Sequence, residues 1–336
     1  MTKKDDNSLK NDSKVGVYNE WDRLKTVMLG DAEDCVFPKF QEDWGRYSNL
    51  RDFINEGTLW IERDPENGRK MIAQMNAFEE LLKEHDIEVN RPDKISENIR
   101  ENSITGDGLL YARDPHLVIG KNIIQTNTRM TFRHKEHYAW ASLFQKLNNH
   151  DEDVLWLNMP DMENEPSGST PEEWIKDSRL FVEGGDTFVL GKDILVGFSS
   201  LGSSLAGIDW LRKILSREGY NVHSIPIKED WLHLDCMFAV IKEGLAVAYI
   251  DGFKNGIPEM LKDWEFIEAS AEECHAMGCN TLCLEPGTVF IGSQHERIIK
   301  EIEKKNCTAI PVDYDAIEWY GGGIRCTTHP VYRAHE

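Results

Sequence analysis

Four stretches of this chain repeat one pattern: a β-rich run, a glycine-bearing turn and a second β-rich run. Residues 113–125 read RDPHLVIGKNIIQ and residues 185–197 read GDTFVLGKDILVG. Residues 234–250, LDCMFAVIKEGLAVAYI, carry Lys-Glu-Gly at the turn, and 279–292, CNTLCLEPGTVFIG, carry Glu-Pro-Gly. Tight hairpin turns require φ > 0, which Gly and Asn/Asp supply. A weaker relative, VYNEWDRLKTVML at 17–29, is expected to form a fifth hairpin. Five such units with helices between them predict an α/β chain built by radial repetition, which removes long exposed sheet edges.

The helices are marked by their ends. Asp64-Pro65 predicts a helix to about Glu84, with Asp64 as N-cap and Pro65 in the first position. A second is expected from about Ser204 to Glu218, closed by Gly219. Ser293-Gln294-His295-Glu296 reads as a capping box for a third, ending near Asn306. Residues 158–172, acidic and rich in Pro and Ser, read as a surface insertion. Residues 1–14 read as a disordered tail, and 15–336 as a single catalytic domain.

The repeat has a functional corollary. Equivalent positions at the starts of radially arranged hairpins converge on the axis, and Asp114, Glu183, His233 with Asp235, and Cys326 hold those positions. Cys326 follows Gly321-Gly322-Gly323-Ile324-Arg325, where glycines permit close backbone approach to a ligand or φ > 0. This set suits a guanidinium ligand. Such a cation is planar, always charged and presents N–H donors in a fixed fork, which two flanking carboxylates, Asp114 and Asp235, can bind. Its carbon is a poor electrophile, so attack calls for a thiolate, favoured by the bound cation and a protonated His233. His233 can protonate the leaving nitrogen, and Glu183 can fix its ring and raise its pKa. Asp186 competes with Glu183 for that acidic role.

Composition limits the partners. Against 38 basic residues stand 59 acidic ones, a net charge of −21, which argues against nucleic acid or an anionic membrane and favours a small cationic ligand. No run approaches the roughly 18 apolar residues that cross a bilayer, and the start lacks a secretory core, so a cytoplasmic protein is expected. Seven cysteines, an odd number, point to reduced thiols. Cys274, His275, Cys279 and Cys283 could suggest zinc, but they lack a paired C-x2-C, and buried free thiols are the plainer reading.

Taken together the motifs resemble the amidinotransferase branch of the guanidine-modifying (pentein) superfamily. The resemblance runs over most of the chain: YNEWDRLKTVMLGDAE at 18–33, NRPDKI at 90–95, ARDP at 112–115, EGGD at 183–186, HLD at 233–235 and GGGIRC at 321–326. It implies a five-bladed, pseudo-symmetric α/β propeller of ββαβ-type repeats. It also implies Cys326 as nucleophile, His233 as acid/base, Glu183 as its partner, and Asp114 and Asp235 as guanidinium ligands. EGGD and the ending RCTTHPVYR are nearer to the deiminase style. Residues 250–254, IDGFK, lack the arginine that glycine amidinotransferases use for a substrate carboxylate; Arg133, in TFRHKE, lies about where relatives carry a substrate-region arginine, so the resemblance implies it as the anchor.

The implied activity moves the amidino group of arginine, or a similar donor, to an amine acceptor through an amidino-cysteine, releasing ornithine. A hydrolase of the same fold, with water as acceptor, is the alternative, and a non-catalytic propeller serving as a binding module is a third reading. No cofactor or metal is expected, because the substrate brings its own activating charge. Related enzymes are often dimers, which leaves a homodimer open.

Overall fold

The computed structural model describes residues 14–33, 35, 61, 64–96, 109–130, 133–161, 173 and 175–335. Residues 1–13 of the expected tail and most of the 158–172 insertion lie outside this set.

Among the described residues the strands form five three-stranded sheets. In four of them the expected hairpin is present: β3 (His116–Ile119) with β4 (Asn122–Gln125), β6 (Thr187–Leu190) with β7 (Asp193–Phe198), β9 (Phe238–Lys242) with β10 (Leu245–Ala248), and β12 (Leu282–Glu285) with β13 (Thr288–Gly292). All are antiparallel. Each turn holds one glycine in the left-handed region: Gly120 at φ 56°, Gly191 at 66°, Gly244 at 77° and Gly287 at 83°. The third strand of each sheet, β5 (Leu155–Asn158), β8 (Asn221–Pro226), β11 (Glu265–Glu268) or β14 (Thr308–Val312), pairs parallel to the second. A parallel return needs a crossover.

The fifth sheet corrects the reading of residues 17–29. That segment is not a hairpin; it supplies one strand, β1 (Arg23–Leu29), flanked by β15 (Thr328–Ala334) antiparallel and β2 (Glu88–Asn90) parallel. The segment has no glycine turn of its own, so its antiparallel partner comes from the opposite end of the chain.

Helix α1 (Pro65–Glu84) crosses to β2, α2 (Ala141–His150) to β5, α3 (Leu205–Leu215) to β8 and α5 (Glu296–Lys304) to β14, while α4 (Ala271–His275) and α6 (Asp315–Glu318) are short. The β10–β11 crossover is made of single 3-10 turns at Ile250–Gly252 and Glu259–Leu261. Asp64 caps α1 by accepting from the Asn67 N–H at 3.1 Å, and Met71, Met75, Phe78 and Leu82 recur on its buried face. Ser204 caps α3, which ends through a 3-10 turn at Gly219, φ 77°. The expected box before α5 is absent. His295 is its N-cap residue, without a side-chain cap, because Ser293 instead donates to Asp313 and Gln294 to Glu318. A true capping box opens α4, between Ser270 and Glu273.

Neighbouring sheets meet through their first strands, giving a closed order. β15 packs on β3, β1 on β12 and β12 on β9; Phe188 of β6 meets Phe238 of β9 with ring centroids 5.0 Å apart. The Gly184 N–H donates to the Asp114 carbonyl, joining the β6 sheet to the β3 sheet. This is the five-bladed α/β propeller. All four residues of β3 and of β10 are buried, so β10 and, after His116, β3 read as continuous apolar runs, not as alternation. Among the described residues no helix is long and apolar enough to cross a membrane.

Candidate active site

Each blade's first strand is preceded by a tight turn, and these turns gather the polar residues. Asp114 precedes β3; Glu183 precedes the 3-10 turn Gly184–Asp186 that enters β6; His233 precedes the turn Leu234–Cys236 that enters β9; and Cys326 lies two residues before β15. All five expected residues are buried: Asp114, Glu183, His233, Asp235 and Cys326.

Two contacts hold the histidine. Its Nε2 lies 2.5 Å from Glu183 Oε2, and its Nδ1 lies 3.7 Å from Asp114 Oδ1. Glu183 Oε1 accepts from the Arg129 backbone N–H at 2.6 Å, so that carboxylate is fixed at both oxygens. Asp186, the competing acid, turns away: it accepts from the Leu234 N–H and from the N–H and hydroxyl of Ser203. Burial pushes its pKa up to about 7, against the opposing effect of His233. Glu183 therefore holds the imidazole and Asp186 braces the turns.

The EGGD glycines serve close approach. A Cβ at Gly184 would lie 1.9 Å from the Arg113 carbonyl oxygen, and one at Gly185 would lie 2.5 Å from His233 Nδ1. The glycine run before Cys326 serves the same end, against the chain itself. Gly322 lies on the Tyr111 ring, where a Cβ would come within 2.2 Å, and Gly323 on Asn280, within 2.8 Å; Gly321 takes φ 85°.

Cys326 Sγ lies 3.8 Å from Asp235 Oδ2. Burial, and then Asp235, push its thiol well above the ordinary range. Burial alone would lower the His233 pKa, but Asp114 and Glu183 outweigh it and raise it to about 10. These shifts favour a neutral Cys326 thiol and a protonated His233 near neutral pH. Burial opposes ionisation of Asp114, yet His233 and Arg133 hold its pKa below the usual value. Asp235 is raised by burial despite Arg325.

Arg133 is reassigned. Its fork is filled within the chain: Nη1 pairs with Asp114 Oδ2 at 2.6 Å, Nη2 with Glu136 Oε2 at 2.8 Å, and Nη2 also donates to the Tyr111 carbonyl. It is buried, with two carboxylates and a carbonyl for partners, so it braces Asp114 instead of waiting for a substrate carboxylate. Asp235 has an equivalent brace in Arg325, whose Nη1 lies 3.0 Å from Oδ2 and whose guanidinium stacks 3.8 Å from the Phe188 centroid.

Three residues escaped the sequence reading. Arg325 and Glu20 lie in quoted motifs but show no sign of pairing there; they meet at 3.5 Å. Asn280 is the hairpin-start residue of the β12 blade, so the repeat could have found it. Its Oδ1 accepts from the Cys326 N–H at 3.0 Å, and its Nδ2 lies 3.1 Å from both the Asp235 carbonyl and Cys326 Sγ.

Ligand-capable atoms of Asp114, Glu183 and His233 lie within 4.8 Å of one another. The Cys274–His275–Cys279–Cys283 group does not converge: Cys274 and Cys279 approach to 3.3 Å, His275 stacks on Trp231, and Cys283 bonds the Ile241 carbonyl.

Comparison with known proteins places this geometry. Residues 59–333 match the family described as N,N dimethylarginine dimethylhydrolase, eukaryotic. The chain is similar to the mitochondrial glycine amidinotransferase of Gallus gallus, 25% identical over 94% of this chain and 82% of that one. Among solved structures, the inosamine-phosphate amidinotransferase of Streptomyces griseus superposes with a TM-score of 0.83 at 21% identity, covering 96% of this chain and 98% of that one. An amidinotransferase of Microseira wollei from the saxitoxin biosynthetic pathway gives 0.78, with the same identity and coverage. The chain therefore belongs to the guanidine-modifying pentein superfamily, in the family described as N,N dimethylarginine dimethylhydrolase and beside the amidinotransferases, and it is a guanidino-modifying enzyme.

Proposed function

We propose that this protein transfers the amidino group of arginine, or a similar guanidino donor, to an amine acceptor through a covalent amidino-Cys326. The observation that carries the reading is the buried cluster itself. A cysteine sulfur lies 3.8 Å from one carboxylate, within a set of turns that also hold an imidazole clamped by a second carboxylate.

Asp114 and Asp235 flank the substrate guanidinium. Each already holds one chain arginine, and each carboxylate oxygen keeps a further lone pair for a substrate N–H. The arriving cation favours the thiolate, and the thiol proton leaves to solvent. Sulfur then bonds to the guanidinium carbon. His233, protonated at the start, gives its proton to the bridging nitrogen of arginine; the carbon–nitrogen bond breaks and ornithine departs. In the second half the acceptor amine gives a proton to the now neutral His233 and bonds to the carbon, and the thiolate leaves. The ionic substrate and the acidic surface suit one another, with a net charge of −21 on the protein.

A second reading has its own support in the family match over 59–333. In a hydrolase, water replaces the amine, and breakage of a terminal carbon–nitrogen bond gives citrulline. Incubation with arginine, with and without candidate amines, separates the two by mass spectrometry of ornithine, citrulline and new guanidines. Acceptor-dependent ornithine is the expected result; citrulline without acceptor gives the site to hydrolysis. Cys326→Ala should keep arginine binding and lose at least ~1000-fold in turnover under either reading, since the bond-making atom is gone.

A further inference from the structure

We infer that Asn280 is a catalytic residue of this reaction, its side-chain amide donating a hydrogen bond to the Cys326 sulfur and so stabilising the thiolate as it attacks and departs. The inference rests on Cys326 being the nucleophile, as proposed above.

The orientation of the amide is fixed by its other partners. Oδ1 accepts from the Cys326 backbone N–H at 3.0 Å. A flipped amide would set an N–H donor against that N–H, so the oxygen cannot be a nitrogen. Nδ2 is thereby the atom facing both the Asp235 carbonyl and the sulfur, each at 3.1 Å, and it has two hydrogens to give. Asn280 is 1% exposed, so bulk solvent does not reach these bonds. Only a glycine fits at 323 beside this side chain, where a Cβ would come within 2.8 Å of Asn280, and the Arg325 N–H holds the Asn280 carbonyl at 3.4 Å.

The sulfur's other neighbours explain the need for a further donor. Asp235 and Asp114 face it with negative charge, Cys236 and the phenols of Tyr111 and Tyr314 contribute no cation, Arg325 is committed to Asp235, the His233 imidazolium to Glu183 and Asp114, and the Gly323 backbone gives the sulfur one hydrogen bond. Each acid disfavours a thiolate, while a hydrogen bond given to the charged form favours it. Asn280 adds a neutral side-chain donor to the Gly323 backbone contact without weakening the acidic site that receives a cation.

The test compares wild type, Asn280→Asp and Asn280→Ala by the rate of Cys326 alkylation against pH, read by peptide mass. Iodoacetamide is the probe because it is neutral and does not itself shift the thiol. Asn280→Asp keeps the oxygen that accepts from Cys326 N–H but replaces the donor by a second oxygen. We expect its alkylation midpoint to rise by at least about one unit, with kcat/KM near neutral pH falling ~10- to 100-fold and recovering in part at high pH. Asn280→Ala should move both in the same direction. A loss of activity with the midpoint moved by less than about 0.3 unit would reduce Asn280 to a structural part and overturn the inference.

A second measurement needs no substitution at 280. In wild type the Asn280 side-chain amide resonance should titrate with the alkylation midpoint and stop doing so in Cys326→Ser; an amide indifferent to that titration also overturns it. Full turnover by Cys326→Ser would instead sink the nucleophile assignment, a failure separate from that of Asn280.

Discussion

His233 sits between two carboxylates in a place that would otherwise strip its proton. Burial favours the neutral ring, Asp114 and Glu183 favour the charged one, and the balance leaves the pKa at about 10. An unfolded histidine titrates near 6.5. The folded state therefore holds this proton more tightly, and the resulting stability is complete below about 6.5 and lost as pH rises towards 10. Glu183→Gln weakens that grip. The stability difference between wild type and Glu183→Gln, measured by urea unfolding at several pH values, should be largest near pH 6 and shrink towards pH 10, with a slope of at most about 1.4 kcal/mol per pH unit. A difference that stayed constant across this range would mean the histidine is not held charged. At this scale the sequence was informative where the repeat spoke. Asp114, Glu183, His233, Asp235 and Cys326 all occupy hairpin starts, and the turns bring them into one buried network. For Arg133 the sequence offers a local partner in Glu136, three residues on, but the pairing with Asp114, 19 residues away, is set by folding and nothing local announces it.

At the scale of the hairpin, four turns share a glycine with positive φ, but their surroundings differ. Gly191, at φ 66°, has nothing within 4 Å of where a Cβ would stand. Gly120, at φ 56°, would put that atom 2.6 Å from the Tyr220 hydroxyl, on a side chain only 4% exposed. Gly191→Ala should thus cost only the left-handed backbone, about 1–2 kcal/mol. Gly120→Ala should cost that and roughly 1–3 kcal/mol more for overpacking. Chemical denaturation of the two variants checks the difference; equal losses would show that Tyr220 yields freely. These turns were legible in the sequence because glycine answers to a local conformational demand. The fifth sheet was not, because β1 takes its partner from 300 residues onward, where only the closed ring brings it. The expected cap before α5 failed for a related reason: Ser293 and Gln294 found acids on a later segment that satisfied them better than the helix end.

At the scale of the whole molecule, closure of the ring and placement of the nucleophile depend on the same strand. β15 begins two residues after Cys326 and pairs along β1 from Leu29↔Thr328 to Arg23↔Ala334. The opposite end of the chain then crosses the blades: Gly16 bridges Tyr332, Val17 bridges Gly120 and Asn19 bridges Leu190. Buried Arg333 fastens the closure from the other side, donating to the Asp22 and Cys283 carbonyls at 2.7 and 2.9 Å. Truncation after Thr327 removes every one of the β1–β15 pairs and frees the loop carrying Cys326, so the shortened chain should lose cooperative thermal unfolding as well as activity. Such a loss could also reflect a break in chain continuity, and a circular permutant separates the two. The Arg333 N–H donates to the Gly16 carbonyl at 2.8 Å, so a Gly-Ser linker from His335 back to Lys14 has a short gap to span. New termini opened at the Glu243-Gly244 turn would leave all five sheets intact. The permutant should unfold cooperatively within a few degrees of wild type and keep its turnover, while the truncation should do neither. A truncated chain that still melted cooperatively would show that four blades hold without the fifth, and that β15 serves only to carry the cysteine.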